Sequence, residues 1–235
     1  MKAIKISLFP LTTALLTSSL MAVPFDIDYD FNGNSTEAAE ATIVMGDVSG
    51  STITAAGYSG WASFGSEAAQ FRSNFTPSAQ SDTDYITFTL TPEVLGETLN
   101  LTSLAFSLGG RDGNANTSIV SVKIRIGETG SDFSTLSDVV FLPGSVSTAT
   151  HTVVGATSLG AWTDYTADLS VETYQGMESA EIRIYYFDNT GGSNMYGAID
   201  DISISGASVV PEASTTALLS GIGAFMFAFV LKRRR

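Results

Sequence analysis

Cysteine is absent from this chain of 235 residues, and histidine occurs only once. The lack of thiols excludes a disulfide scaffold, a cysteine nucleophile and a thiolate metal site. A single histidine excludes a zinc centre built from several imidazoles. That residue, His151, lies in the strand-like stretch Thr-Ala-Thr-His-Thr-Val-Val, and we expect it at the surface or in a turn. The sequence also has no Gly-x-Ser-x-Gly nucleophile elbow and no phosphate-binding glycine loop, so it indicates a protein that is not an enzyme.

Charged side chains are scarce as well, at 15% of the residues, where about 25% is typical. Residues 23–210 combine 23 acidic residues with five basic ones, a net charge of −18. Such a charge argues against nucleic acid and anionic lipid as partners, whereas divalent cations and neutral polysaccharide are compatible with it. The chain's 30 Ser and 27 Thr supply polarity instead, so hydroxyl groups rather than ion pairs wet the predicted surface.

Residues 1–22 have the order of a secretory signal peptide. Lys2 and Lys5 form a short basic region, residues 6–16 are mainly apolar, and the small residue Ala22 stands at the expected cleavage position. We therefore predict that this segment directs export and is removed. The alternative is a buried N-terminal strand.

An uncharged apolar run occupies residues 213–231, a length of 19 residues. A helix needs about 20 such residues to cross the core of a bilayer, so the run predicts a transmembrane helix. The residues that follow are all basic and stay on the cytoplasmic side by the positive-inside rule; they are Lys232, Arg233, Arg234 and Arg235. Residues 23–210 are then expected on the opposite side of the membrane, in agreement with the N-terminal signal.

A Pro-Glu motif immediately precedes this run. The order of motif, apolar helix and basic cluster resembles the PEP-CTERM sorting signal of Gram-negative bacteria. Val210, Pro211, Glu212 and Ser214 match the motif, while Ala213 stands where the family usually has a second Pro. The resemblance implies an exported precursor anchored in the inner membrane and cleaved by an exosortase near Pro211-Glu212. Its implied destination is the cell surface or the exopolysaccharide matrix.

Several stretches of the exported part alternate apolar and polar residues with a period of two, which is typical of strands with one face on a core. In residues 99–108 the phase slips by one, and this slip predicts a β-bulge near Thr102-Ser103. The pattern also admits a short helix at 133–136. We predict an all-β fold, an antiparallel, jelly-roll-like β-sandwich that forms one domain at 23–208. The signal peptide at 1–22 and the sorting signal at 209–235 flank it.

Residues 198–204 read Ala-Ile-Asp-Asp-Ile-Ser-Ile and resemble the closing strand of jelly-roll carbohydrate-binding modules. In such modules one Asp of the pair ligates a structural calcium ion, so the resemblance implies a calcium site here. If Ile202 and Ile204 face the core, a period of two places Asp200 there too, where a lone carboxylate needs a partner. Asp26 and Asp28 of the first strand are the further candidate ligands. The alternative is an edge or bulged strand whose carboxylates are hydrated or accept backbone N–H bonds.

Aromatic residues beside carboxylates and amides are candidates for sugar binding, and here they are Tyr58, Trp61, Trp162 and Tyr165. A second candidate ligand face consists of Lys123, Arg125, Arg183 and Tyr185. Core packing is the alternative for the aromatic residues, and an ordinary solvated sheet is the alternative for the second set. The sequence thus predicts a non-enzymatic structural or adhesive protein of the cell surface or polysaccharide matrix. A lectin-like carbohydrate-binding module is the alternative, and a glycan hydrolase is the remote one.

Overall fold

The computed structural model describes residues 21–29, 41–57, 62–63, 69–70, 80–112, 117–154, 161–188 and 195–210. The first half of this part contains eight strands: β1 (Ala22–Tyr29), β2 (Thr42–Met45), β3 (Val48–Gly50), β4 (Thr54–Ala56), β5 (Ala62–Ser63), β6 (Ala69–Gln70), β7 (Tyr85–Pro92) and β8 (Thr98–Asp112). The second half contains β9 (Thr117–Gly127), β10 (Ala149–Val154), β11 (Thr163–Asp168), a 3-10 turn (Glu172–Tyr174), β12 (Ala180–Asp188) and β13 (Met195–Val209).

Two antiparallel sheets organise these strands. A five-stranded sheet has the order β11-β8-β13-β1-β2, and a six-stranded sheet has the order β10-β9-β12-β7-β3, with β4 also paired to β7. Strands β5 and β6 form a separate two-stranded ribbon. The described residues thus confirm the predicted all-β, antiparallel fold. Ala22–Pro211 makes up one compact unit.

A single hydrophobic core lies between the two large sheets. The five-stranded sheet contributes Phe25, Ile27 and Phe106, and the six-stranded sheet contributes side chains such as Phe88 and Ile184. These residues are the apolar members of the alternating stretches, and each is at most 2% exposed. Alternation therefore assigns one face of each sheet to the core and leaves the other face outside.

The bulge predicted near Thr102-Ser103 is confirmed. In the pairing of β8 with β13, Ser103 lies opposite Ser205 and Leu101 lies opposite Gly206, so Thr102 has no opposing residue. Thr102 is exposed. The extra residue restores the inward direction of Leu101, which explains the phase slip in the sequence.

A second irregularity overturns the predicted orientation of Asp200. Strand β13 contains one extra residue between Asp200, opposite Ser107, and Ser203, opposite Ala105. The extra residue is Asp201, and its backbone lies in the left-handed region, at φ 50°. As a result Ile199 and Ile202 both face the core, and Asp200 is only partly buried on the outside. The expectation of a core-facing Asp200 is wrong because a bulge breaks the period of two on which it depended.

The helix considered at 133–136 is also absent, since residues 133–136 form turns. Asp132 explains this locally, because its Oδ1 accepts both the backbone N–H and the hydroxyl group of Ser134. Among the described residues, no helix has the length and hydropathy needed to cross a membrane. The predicted membrane helix at 213–231 lies outside the described residues. The same holds for the predicted signal peptide apart from Met21 and Ala22.

Candidate ligand-binding faces of the two sheets

Each large sheet has an outer face, and the two faces differ in composition. The outer face of the five-stranded sheet, called here the acidic face, contains Asp26, Asp28, Ser107, Trp162, Asp164, Asp168 and Asp200. The outer face of the six-stranded sheet, called the arginine face, contains Tyr85, Lys123, Arg125, Glu181, Arg183 and Tyr185, with Phe133 and Asp138 from the β9–β10 connection.

A row of polar side chains crosses three strands of the acidic face. Cross-strand pairing places Asp164 of β11 opposite Ser107 of β8, and Ser107 opposite Asp200 of β13. The Ser107 hydroxyl group donates a hydrogen bond of 2.8 Å to Asp164 Oδ1. Asp200 Oδ1 accepts the backbone N–H of Asp201 at 2.9 Å. This bond is the alternative anticipated from the sequence, a bulged strand whose carboxylate accepts a backbone N–H bond.

Hydroxyl groups also donate hydrogen bonds to Asp26 and Asp168 of this face. Asp26 Oδ1 accepts hydrogen bonds from Ser203 (3.3 Å) and Ser205 (3.1 Å). Asp168 interacts with the side chain and backbone of Ser170, and these hydrogen bonds lower the pKa of Asp168. Lys123, Arg125 and Arg183 belong to the arginine face, whereas Arg111 belongs to β8 of the five-stranded sheet.

Trp162 is the aromatic residue of the acidic face. It precedes β11 by one residue and is partly exposed. Its ring lies over Gly109 of β8 so closely that a Cβ atom on Gly109 would come within 2.8 Å of Trp162 Cε3. A residue without a side chain thus provides the flat support for the ring. Trp162 lies two residues before Asp164, and Gly109 lies two residues after Ser107, so the aromatic surface neighbours the Asp164–Ser107 pair.

The arginine face has a different organisation, because its cations are paired with carboxylates. Asp138 binds two of them: Lys123 Nζ lies 2.8 Å from Asp138 Oδ2, and Arg125 Nε donates to Asp138 Oδ1 at 2.8 Å. Arg125 also donates to the Phe133 carbonyl oxygen at 2.8 Å. Burial alone lowers the pKa of Arg125, but the hydrogen bond and charge of Asp138 outweigh this effect and raise it.

Arg183 stacks between two aromatic rings on this face. Its Cζ atom lies 3.9 Å from the ring centroid of Phe133 and 4.3 Å from that of Tyr85. Its Nε donates to Glu181 Oε1 at 2.7 Å. Sequence reasoning found Arg183 and Arg125 but missed Phe133 and Asp138. Those two residues come from a connection without periodic pattern, and only the fold brings them over the sheet.

Two tyrosines expected at the surface are buried. Tyr185 lies on the arginine face as expected, but it is 0% exposed and packs beside Tyr85 and Arg125. Tyr165, predicted as a sugar contact, is 8% exposed and stacks on Phe106 in the core. Its hydroxyl group donates to the carbonyl oxygen of Thr150 at 2.6 Å. Neither ring is available to a ligand, so the prediction for Tyr165 is wrong.

The other predicted sugar contacts, Tyr58 and Trp61, lie outside the described residues. His151, expected at the surface or in a turn, lies within β10 and is 7% exposed. Its Nδ1 is 2.9 Å from the hydroxyl group of Thr163, and burial lowers the pKa of His151.

The predicted calcium ligands do not converge on a common point. In the described part of the chain, no three carboxylate or imidazole side chains lie close enough together to hold a metal ion. Asp26 and Asp28 face outward on β1, and Asp200 belongs to the bulge of β13. Calcium binding itself stays a prediction, and the buried carboxylate that motivated it is not found.

Comparison with known proteins gives a partial structural similarity. No family model matches the chain, and no curated protein matches it. Among solved structures, the K3 adhesin domain of Lys-gingipain from Porphyromonas gingivalis is 18% identical, with coverage of 61% of this chain and 78% of that one and a TM-score of 0.35. The CBM22-1 xylan-binding domain of Paenibacillus barcinonensis Xyn10C is 11% identical, with coverage of 80% and 97% and a TM-score of 0.35. A family 29 carbohydrate-binding module is 14% identical, with coverage of 78% and 88% and a TM-score of 0.33. At these values no property of those proteins transfers to this chain.

Proposed function

We propose that this chain is an exported, non-enzymatic adhesive domain of the cell surface or polysaccharide matrix, and that its acidic face binds neutral polysaccharide. The observation that carries the proposal is the placement of Trp162. Its partly exposed ring packs against Gly109, next to a row of carboxylate and hydroxyl groups. The proposal on location rests on the sequence of the two ends.

The chemistry of a sugar matches the two components of this face. An aromatic ring offers an apolar surface on which the C–H side of a sugar ring packs. Asp164 and Asp200 offer charged acceptors, and hydrogen bonds from hydroxyl groups to a carboxylate are stronger than those between neutral groups. Because five carboxylates lie on the acidic face, those of Asp26, Asp28, Asp164, Asp168 and Asp200, an acidic polysaccharide would be repelled. A neutral, hydroxyl-rich chain is therefore the preferred ligand.

The arginine face supports the proposal by contrast. Its guanidinium groups already stack on rings and bind carboxylates within the protein. A sugar would have to break these contacts in order to bind. We assign the arginine face a stabilising role and the acidic face the adhesive one.

The ends of the chain supply the cellular context. In the proposed course, the signal at 1–22 directs export, the helix at 213–231 anchors the precursor in the inner membrane, and an exosortase cleaves near Pro211-Glu212. The released domain would then join the surface or matrix. A structural calcium ion at Asp200, Asp26 or Asp28 remains part of this proposal.

A lectin-like module that binds one defined glycan is the second candidate, and it would use the same face. Selectivity separates the two candidates, because an adhesive domain binds many neutral polysaccharides weakly. This selectivity is measured as binding of the purified chain to immobilised neutral and acidic polysaccharides. Saturable binding to a single glycan would favour the lectin, and comparable binding to several neutral polysaccharides would favour the adhesive domain.

Two variants test which face binds. Trp162→Ala removes the aromatic surface and should weaken binding at least about tenfold, or about 1.4 kcal/mol. Lys123→Gln on the arginine face is the matched control and should bind like the unchanged chain. Loss of binding in Lys123→Gln together with full binding in Trp162→Ala would place the ligand on the arginine face and contradict the proposal.

A further inference from the structure

One end of the sandwich brings the first and last strands together with a turn. Ala22, at the start of β1, pairs with Val209, at the end of β13. Val209 in turn pairs with Thr98, at the start of β8. The connection from β7 to β8, residues 93–97, therefore lies directly beside the points where both ends of the chain leave the sheet. This end of the sandwich is called the β7–β8 end below.

The connection at the β7–β8 end has an apolar tip. Leu95 is 101% exposed and Val94 is 48% exposed. Gly96 adopts φ +87°, and the Glu97 N–H donates to the Val94 carbonyl oxygen at 3.2 Å, so the turn is closed and holds both side chains outward. Val210, next to the end of β13, is 51% exposed. Three large apolar side chains thus point into solvent at one end of the domain.

Chain length limits the distance between this tip and the predicted membrane helix. Only Pro211 and Glu212 separate Val210 from the uncharged run at 213–231. Two fully extended residues span about 7 Å, because each residue spans at most about 3.6 Å. The polar layer on each side of a bilayer core is of similar thickness, about 5–7 Å. If the 213–231 run spans a membrane, a tether of this length would keep the β7–β8 end within reach of the membrane surface.

We propose that Val94 and Leu95 insert into the outer interface of the membrane that the 213–231 run crosses, so that the precursor is seated on the bilayer. This inference rests on the anchoring step of the proposed function. The tether makes insertion an intramolecular event at high effective concentration, and two apolar side chains then suffice where they would not recruit a free domain.

The charges around the tip define the lipid chemistry. Glu93 is exposed beside the tip, and Glu97 and Glu178 line the same shallow pocket as Val94 and Leu95. Lys123, Arg125 and Arg183 lie on the arginine face, and Arg111 lies at the end of β8 that is distant from Thr98. Electrostatic attraction to anionic headgroups is therefore absent at this end. The tip fits a zwitterionic lipid surface, such as phosphatidylcholine or phosphatidylethanolamine, and anionic lipid should weaken its insertion.

The absence of native cysteine permits a direct test with single labelled cysteines in the full chain. Leu95→Cys places an environment-sensitive fluorophore at the tip, and the full exposure of Leu95 makes this substitution compatible with folding. Thr117→Cys is the matched control. Strands β9 and β7 are both antiparallel to β12 and so run in the same direction, and Gly127, at the end of β9, aligns with the β7–β8 end. Thr117 begins β9 and lies about 33 Å away, at about 3.3 Å per residue.

Both labelled chains are reconstituted in phosphatidylcholine vesicles with and without a nitroxide quencher attached to the lipid. The proposal predicts a blue-shifted Leu95 probe that lipid nitroxide quenches severalfold, and an unquenched Thr117 probe. Phosphatidylglycerol in the vesicles should reduce the quenching at Leu95.

If the chain floats with the vesicles and the Leu95 probe stays in water, the insertion is refuted while the anchoring is retained. If the chain does not float with the vesicles, the anchoring step fails and the insertion fails with it. Equal quenching of both probes would indicate general adsorption and would also overturn the proposal. Polysaccharide binding is measured separately, so its outcome does not depend on this experiment.

Discussion

The acidic face and the arginine face arise from the same alternation of residues, yet their charged side chains have different partners. On the arginine face, Asp138 binds both Lys123 and Arg125, and Glu181 binds Arg183. On the acidic face, Ser107 donates to Asp164, and Ser203 and Ser205 donate to Asp26. Pairing with cations leaves a nearly neutral surface, whereas solvation by hydroxyl groups leaves a charged one.

The two arrangements favour different roles for the two faces. Partly buried ion pairs that also stack on rings fix side chains in place and stabilise the fold, but they leave few groups for a ligand. Carboxylates held by hydroxyl groups can exchange these partners for the hydroxyl groups of a sugar at little cost. We therefore expect mutations on the arginine face to lower the stability of the fold, and mutations on the acidic face to weaken ligand binding.

The largest expected effect is on the arginine face. Asp138→Ala removes the shared partner of Lys123 and Arg125, whose side chains are 25% and 12% exposed. Two partly buried cations then lose a charged hydrogen bond each, which we expect to lower the free energy of unfolding by about 2–3 kcal/mol. Urea denaturation measures this change.

Asp168→Ala is the matched control from the acidic face. Asp168 is exposed and accepts local hydrogen bonds from Ser170, so its loss should change the urea midpoint much less. Equal losses of stability in the two variants would break the distinction between the faces.

The next effect concerns binding by the acidic face. Gly109→Ala adds a methyl group 2.8 Å from Trp162 Cε3 and should displace the ring from its support. We expect about tenfold weaker binding of neutral polysaccharide, about 1.4 kcal/mol, in an isothermal titration. Trp162→Phe keeps an aromatic ring and should retain more binding than Gly109→Ala. Unchanged binding in Gly109→Ala would show that the position of the ring is irrelevant.

Much of this fold was predictable from the sequence, because alternation is a local property. It located the long strands and even the bulge at Thr102, where one extra residue shifts the phase by one. The bulge at Asp201 escaped prediction because the extra residue is a polar one between two isoleucines, so a simple period of two still fitted Ile202 and Ile204. Only the pairing with β8 reveals that Ile199 and Ile202 share the core.

The candidate site was less predictable than the fold. The sequence identified Trp162 and the arginines, but the support at Gly109 and the partners Phe133 and Asp138 are contacts between segments distant in sequence. Tyr165 failed as a sugar contact because a hydroxyl group does not prevent burial when a backbone carbonyl, here that of Thr150, accepts its hydrogen bond.

A smaller effect should come from the bulge on the acidic face. Asp200→Ala removes the acceptor of the Asp201 N–H bond and should lower the free energy of unfolding by about 1 kcal/mol. Asp201→Gly should be neutral or stabilising, because Asp201 has φ 50° and glycine adopts this conformation without strain. Thermal denaturation in calcium and in chelator measures both variants. A calcium-dependent stability that is lost in Asp200→Ala would restore the predicted calcium site.

The smallest effect concerns His151, which lies on β10 and belongs to neither the acidic face nor the arginine face. Burial lowers its pKa in the folded state, so the unfolded chain binds more protons in the range just below the ordinary histidine value of about 6.5. Stability should be fully present above that value and should decrease as the pH falls through it. His151→Gln should flatten this dependence in urea denaturation between about pH 7 and 5. A persisting slope would place the titration elsewhere.

The fluorescence of Trp162 during a titration with neutral polysaccharide reports directly on whether the acidic face binds this ligand. Trp61→Phe leaves Trp162 as the only tryptophan, since the chain has two. If polysaccharide packs on the ring over Gly109, Trp162 emission should shift to shorter wavelength with the same saturation curve as binding measured by calorimetry. Saturable binding in calorimetry with unchanged Trp162 emission would contradict the assignment of the acidic face.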